Sequence, residues 1–202
     1  MICRNMTSLR TLIPVFTVLL GCPAQAADSL YTDLKLDACK KLSDPSDEES
    51  CCEWRCAGIK GNGIMVMEGD LRMFVAYGPE ARQQCAALQT MSAFNTLGPK
   101  VEWRVEDGKP FATILRWFTD NGSGTKKNWL VVTKLDGDQG CHTAYIDGAM
   151  PDANGLARKM ADSVTRRFDC KIGLATVISK QPMTPDEIAG PAPCGPGPYR
   201  EQ

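Results

Sequence analysis

Apolar and polar residues alternate along much of the chain between residues 53 and 146, with the two-residue period of β-strands. Apolar runs at residues 64–67 and 71–77 flank the short polar segment Glu68-Gly69-Asp70. A glycine-containing connection between two such runs is typical of a tight turn, so this part of the sequence predicts a β-hairpin.

Further strands are predicted in the middle of the chain. Residues 100–106 place Val101, Trp103 and Val105 in alternation with charged residues, which predicts a strand with one buried face and one solvent-exposed face. The sequence Asp107-Gly108 then predicts a turn into a strand at 111–118. The unbroken apolar run at 129–132 predicts a central strand covered on both faces, and a last strand is predicted at 141–146.

The period changes to that of a helix after residue 152. An apolar stripe at helical spacing predicts an amphipathic helix of about four turns, with basic residues on the opposite side. The stripe consists of Leu156, Ala157, Met160, Ala161, Val164 and Phe168. A weaker helical pattern covers residues 80–91.

Together these patterns predict an α+β fold in which the C-terminal amphipathic helix packs on a mostly antiparallel sheet of about six or seven strands. We expect a single domain at residues 27–178. Six of the chain's 13 prolines follow residue 178, so we expect a mobile tail at residues 179–202.

The first 26 residues have the pattern of a secretory signal peptide. Arg4 and Arg10 precede an apolar stretch at residues 12–21, and the small residues of Ala24-Gln25-Ala26 follow it. The stretch is shorter than the roughly 20 apolar residues of a transmembrane helix. We therefore expect cleavage between Ala26 and Ala27, export to the periplasm and no transmembrane segment.

A lipid anchor is the alternative. The sequence Leu19-Leu20-Gly21-Cys22 resembles a lipobox, in which Cys22 would be lipidated and would become the first residue of the mature chain. Pro23 disfavours this processing because a small, flexible residue usually follows a lipidated cysteine. The sequence leaves both products open.

We expect the cysteines of the exported chain to form disulfides, because exported thiols meet an oxidising environment. Two pairs flank short segments, and we predict the disulfides Cys39–Cys56 and Cys141–Cys170. The eight cysteines of the mature chain allow 105 connectivities, so the pairing of the other four stays undetermined. They are Cys51, Cys52, Cys85 and Cys194.

Composition disfavours several classes of function. The formal net charge is −1 and the sequence has no dense basic stretch, so we expect no nucleic-acid partner. His142 is the only histidine, and its strand position offers no evident catalytic partner. We expect it on the same strand face as Ala144 and Ile146. No residue pattern predicts a catalytic, metal or cofactor site, which favours a protein that is not an enzyme.

Five segments resemble a family of small exported bacterial proteins with no assigned activity. The resemblance extends over residues 29–170 and implies a location in the bacterial envelope. The segments lie at residues 29–34, 68–72, 94–100, 112–116 and 152–158.

These inferences lead to two hypotheses of function. The first is a non-enzymatic periplasmic module that binds a protein or a cell-wall component, for example as an inhibitor of a cell-wall hydrolase. The second is an envelope enzyme that uses carboxylate or thiol chemistry.

Overall fold

The computed structural model describes residues 27–42, 52–59 and 61–189. The strands among these residues are β1 (Asp28–Asp33), β2 (Lys40–Lys41), β3 (Glu53–Ile59), β4 (Asn62–Gly69), β5 (Arg72–Tyr77), β6 (Phe94–Glu106), β7 (Lys109–Asp120), β8 (Lys126–Lys134), β9 (His142–Asp147) and β10 (Thr176–Ile178). The helices are α1 (Ala153–Ser163) and α2 (Pro185–Ala189). The fold is therefore mostly strand with helix, as expected for the α+β class.

The strands form two sheets, whereas the sequence predicted one sheet of about six or seven strands. The larger sheet has the order β1-β6-β7-β8-β9-β10, and the smaller has the order β2-β3-β4-β5. All neighbours are antiparallel except β9 and β10, which are parallel. The alternation of apolar residues does not show which strands pair, so it could not separate the two sheets.

The main hydrophobic core lies between the two sheets. Ile64, Val66 and Val75 of the smaller sheet share one buried cluster with Trp103 and Trp117 of the larger sheet. The ring of Trp103 also meets the ring of Tyr77 edge-on, with the centroids 5.5 Å apart. Burial of such large aromatic side chains helps to hold the two layers together.

Helix α1 covers the other face of the larger sheet, as predicted. Ala153, Ala157 and Ala161 are buried against β7, β8 and β9. The α-helix has 11 residues and ends before a 3-10 turn at Thr165–Arg167, so it is shorter than the predicted four turns. The small alanine side chains allow the helix to approach the sheet closely.

The predicted solvent-exposed face of residues 100–106 is wrong, because Glu102 and Arg104 are buried beneath α1. The Arg104 guanidinium donates through Nε and Nη2 to the Asp162 carboxylate at 2.9 and 2.8 Å. Arg158 Nε donates to Glu102 Oε1 at 2.7 Å. Ion pairs with the helix therefore satisfy the charged face of the strand in place of water.

The weak helical pattern at residues 80–91 also proved wrong. The segment forms two 3-10 turns, Ala81–Gln83 and Cys85–Leu88. The buried amide of Gln84 accepts a hydrogen bond from the Tyr77 N–H at 3.2 Å and donates to the Tyr77 carbonyl at 2.7 Å. These bonds hold the segment against β5, and the extended backbone of Gln84 separates the two turns.

The packed part of the chain continues beyond residue 178, where we expected the domain to end. Helix α2 buries Ile188 in the core between the sheets. The Thr184 hydroxyl and the Glu187 carboxylate exchange hydrogen bonds with each other's backbone N–H, which is a capping box. This bonding lowers the pKa of Glu187. Residues 190–202 of the predicted tail lie outside the described residues.

Candidate functional site

A cleft of about 370 Å³ opens where the tip of the β4–β5 hairpin meets the β6–β7–β8 end of the larger sheet. We call it the Leu71 cleft. Its lining residues are Glu68, Leu71, Met73, Phe94, Asn95, Thr96, Phe118, Thr119, Asp120, Lys126 and Lys127. Because three strands and a hairpin tip supply these residues, the cleft depends on the contact between the two sheets.

Leu71 stands at the rim of the cleft in an unusual backbone conformation. The two-residue turn between β4 and β5 consists of Asp70 and Leu71, with φ angles of 52° and 58°. Positive φ at both central positions is the geometry of a type I′ turn, whose second position normally holds glycine. A leucine there is strained, and its side chain is nevertheless 61% exposed.

Two exposed aromatic side chains complete the apolar lining. Phe94 begins β6 and is 39% exposed, and Phe118 near the end of β7 is 44% exposed. The guanidinium of Arg72 lies 5.5 Å from the centroid of the Phe94 ring and also donates to the Ser92 carbonyl at 3.1 Å. This stacking fixes Arg72 beside Phe94.

The buried side chain of Asn95 ties the hairpin to the larger sheet. Its Oδ1 accepts from the Met73 N–H at 2.9 Å, and its Nδ2 donates to the Ala93 carbonyl at 3.0 Å. The Asn95 backbone N–H donates to the Leu71 carbonyl at 3.1 Å. Asn95 thus holds the strained turn against β6 through both its side chain and its backbone.

A second cavity of about 310 Å³ adjoins the cleft and shares Thr119 and Lys127 with it. Met183, Glu187 and Ile188 of the α2 region form part of its lining. At the rim, Lys126 lies 3.8 Å from the Asp120 carboxylate, and both side chains are well exposed. The apolar cleft is therefore bordered by charged groups of both signs.

His142 lies in the core and lines none of these cavities. Burial lowers its pKa to about 3, so the imidazole is neutral at physiological pH. Its Nδ1 is 3.0 Å from the Tyr145 hydroxyl, and its ring meets the Trp117 ring edge-on. Burial also raises the pKa of Tyr145.

The predicted strand face of His142 is wrong. A register shift between Val132 and Thr133 of β8 marks a bulge at the start of β9. The extra residue places His142 against Tyr145 in the inter-sheet core, whereas Ala144 packs beneath α1. A bulge exchanges the two faces of a strand, and no simple alternation rule anticipates it.

Both predicted disulfides are formed. The Cys39–Cys56 bond joins the segment after β1 to β3, and the Cys141–Cys170 bond joins the start of β9 to the segment after α1. Cys85 is also disulfide-bonded and packs beside Cys141 and Cys170.

Several residues of interest for processing and pairing lie outside the described residues. They are Cys22, Ala26, Cys51 and Cys194. Ala27, the first residue after the predicted cleavage site, accepts a hydrogen bond from Arg104 Nη2 at 2.7 Å through its carbonyl.

Within residues 27–42, 52–59 and 61–189, no helix is long and apolar enough to cross a membrane. The same residues contain no group of three or more His, Cys, Asp or Glu side chains that could hold a metal ion. Comparisons with protein families, with characterised proteins and with solved structures find no match to this chain.

Sequence reasoning missed the cleft. The hairpin was predicted correctly, but we placed its turn at residues 68–70, whereas Asp70 and Leu71 are the turn residues. A signal was present, since an aspartate followed by leucine occupies the place where Asp-Gly is usual. Phe94 and Phe118 carry no comparable signal, because only the tertiary fold brings them to the same cleft.

Proposed function

We propose that the protein is an exported, non-enzymatic module of the bacterial periplasm or envelope that binds a protein partner through the Leu71 cleft. An inhibitor of an envelope enzyme is one form that such a module can take. The disulfides Cys39–Cys56 and Cys141–Cys170 support an oxidising compartment. The predicted signal peptide supports export for an independent reason.

The conformation and exposure of Leu71 are the observation that carries the proposal. A left-handed backbone costs roughly 1–2 kcal/mol for a residue with a side chain, and glycine in the same place avoids most of this strain. Exposure of the leucine means that the fold gains little burial in return. Strain that does not serve the fold is concentrated at binding and catalytic sites.

The lining of the cleft suits an apolar side chain of a protein. Leu71, Phe94 and Phe118 expose apolar surface next to one another, and the cavity has room for an aromatic or aliphatic side chain. Leu71 stands at the rim, where it can contact surface beyond the cleft itself. An apolar centre with a charged rim, here Asp120 and Lys126, is the usual anatomy of a protein–protein interface.

The experiment compares Leu71 with a matched leucine. Leu88 has the same exposure, 61%, and lies on a 3-10 turn that does not line the cleft. A photo-cross-linking residue at position 71, expressed in the exporting cell, should capture one defined protein, whereas the same residue at position 88 should not. The captured protein is then purified and its affinity measured by calorimetry.

In that measurement Leu71→Ser should weaken binding at least about tenfold, since we propose Leu71 as an anchor of the interface and loss of an anchor side chain costs about 2 kcal/mol or more. Leu88→Ser should leave the affinity unchanged. Equal effects of the two substitutions would overturn the proposal. Capture of a lipid or another small apolar molecule at position 71 would replace the protein partner with that ligand.

Two further measurements test the rest of the proposal. The intact mass of the exported protein should correspond to a chain that begins at Ala27, and a diacylated chain that begins at Cys22 would place the protein on a membrane surface.

Thiol titration of protein purified from the periplasm tests the non-enzymatic assignment. A reactive thiol of low pKa would contradict it and favour the enzyme hypothesis.

A further inference from the structure

A separate cavity of about 170 Å³ lies on the α1 face of the larger sheet, beside the start of α1. Its lining residues are Tyr31, Gly98, Pro99, Lys100, Glu102, Ile114, Arg116, Leu130 and Asn154. None of them lines the Leu71 cleft. Hydrogen-bond donors and apolar side chains therefore meet in a space with room for a small molecule.

Arg116 and Lys100 are the two cations that line this cavity. Its Nη1 donates to Asn128 Oδ1, and its Nη2 donates to Asn154 Oδ1 at 3.2 Å. Both acceptors are neutral amides, and no carboxylate among the described residues forms an ion pair with Arg116. The guanidinium is therefore held in position without having its charge neutralised.

Glu102 is the carboxylate in the cavity lining, and it is already paired. Arg158 donates to both of its oxygens, at 2.7 and 3.3 Å, and the Ser29 hydroxyl donates to Oε1 at 2.5 Å. The hydrogen bonds from Arg158 to Glu102 raise the pKa of Arg158. With Glu102 compensated in this way, Arg116 leaves an excess of positive charge in the cavity.

Three other donors border the same space. The Tyr31 hydroxyl accepts from Arg158 Nη2 at 3.2 Å, which leaves its own hydrogen to donate. Asn154 uses its amide oxygen for Arg116, so its amide nitrogen can donate as well. Lys100 pairs with the exposed Asp33 at 2.7 Å, and this contact lowers the pKa of Asp33.

The start of α1 does not itself supply this site. Asp152 caps the helix and accepts from the Gly155 N–H at 3.2 Å through its side chain. The attraction for an anion therefore comes from the side chains of Arg116, Tyr31 and Asn154.

We propose that this cavity binds the carboxylate of a small organic acid or of a peptide C-terminus whose terminal residue is short and apolar. The planar fork of Arg116 matches the geometry of a carboxylate. Ile114 and Leu130 supply apolar lining for a methyl or similar group next to the carboxylate. The small volume restricts the ligand to a short side chain.

The test uses the full exported chain and four purified probes, measured by calorimetry and by amide chemical shifts. N-acetylalanine should bind, and its carboxamide should bind at least about tenfold more weakly, because it lacks the charge that Arg116 recognises. Trialanine distinguishes the two sources of the carboxylate. If it binds as well as N-acetylalanine, the site accepts a chain terminus, and if it is excluded, the site takes a free acid.

The variants locate the binding. Arg116→Gln should weaken binding of N-acetylalanine at least about tenfold. Arg82→Gln removes an arginine that pairs with Glu53 and does not line the cavity, so it should not change the affinity. Tyr31→Phe removes only an exposed hydroxyl and should weaken binding several-fold even if Arg116→Gln unfolds the protein.

Inorganic phosphate is the fourth probe. Three results would each overturn the proposal. They are binding of phosphate without binding of N-acetylalanine, equal affinity for N-acetylalanine and its carboxamide, and an affinity for N-acetylalanine that neither Tyr31→Phe nor Arg116→Gln changes.

Discussion

Two hairpins of this protein have turns of the same geometry but different chemistry. The β6–β7 hairpin turns through Asp107 and Gly108, with φ angles of 48° and 74°. The β4–β5 hairpin turns through Asp70 and Leu71, with φ angles of 52° and 58°. Both turns have two residues and connect antiparallel strands. The first turn places glycine where the geometry requires it, and the second places an exposed leucine there.

The two hairpins also differ in the parts of the protein that they contact. The β6–β7 strands lie between the core and α1, and carry Arg104 and Trp117 in buried positions. The tip of the β4–β5 hairpin is instead held by Asn95 at the border of the cleft. Both hairpins contribute to the core, but the first turn places glycine where the backbone requires it, while the second accepts strain and displays a side chain.

Arg104 gives the largest expected effect, because it joins the β6–β7 hairpin to α1. Arg104→Ala leaves the Asp162 carboxylate without its partner in a partly buried place, and we expect the free energy of unfolding to fall by about 3 kcal/mol. Lys100→Ala on the same strand removes an exposed ion pair and should cost less than about 1 kcal/mol. Chemical denaturation measures both. Similar losses for the two variants would show that burial of the Arg104 pair does not matter.

His142 gives a pH-dependent effect in the core between the two sheets. Its folded pKa of about 3 lies below the ordinary value of 6.5, so the unfolded chain binds more protons between these two values. Stability should therefore fall as the pH decreases from 6.5 towards 3, by about 2 kcal/mol between pH 7 and pH 5. His142→Gln, a variant with no titrating side chain, should lack this part of the dependence. Identical pH profiles of wild type and variant would contradict the assignment.

The strand and helix periods predicted much of this architecture, including both hairpins, the central strand at 129–132 and α1. They could not predict how polar faces are satisfied. The alternation around Glu102 and Arg104 is the same whether the charged face meets water or meets ions of a helix. The burial of His142 beside Tyr145 depends on a bulge, which shifts the faces by one residue.

Helix α2 was not predicted, although the sequence contains a signal for it. The sequence Thr184-Pro185-Asp186-Glu187 has the capping-box spacing, with proline at the first helical position. The density of prolines beyond residue 178 led us to expect a tail in this segment. Composition describes an average over many residues, whereas a capping box acts through two side chains at a fixed spacing, and here the local signal was correct.

Exchange of the turn residues tests the comparison directly. Gly108→Leu should introduce into the β6–β7 hairpin the strain that the β4–β5 hairpin contains, and we expect a loss of about 1–2 kcal/mol. Asp107→Asn is the control, because asparagine also tolerates positive φ, and it should change stability little. Thermal unfolding followed by circular dichroism measures both. A neutral Gly108→Leu would mean that leucine at this turn position is not strained.

The opposite exchange, Leu71→Gly, has the smallest expected effect on stability and the most informative sign. Glycine removes the left-handed strain but adds freedom to the unfolded chain, so we expect a net gain of about 0.5–1 kcal/mol. Leu88 has the same exposure and is not among the residues of positive φ, so Leu88→Gly should destabilise by a similar amount. Thermal unfolding gives the sign of each change. A more stable Leu71→Gly protein that no longer binds its partner would show that the leucine serves binding, whereas destabilisation by both substitutions would show that it serves the fold.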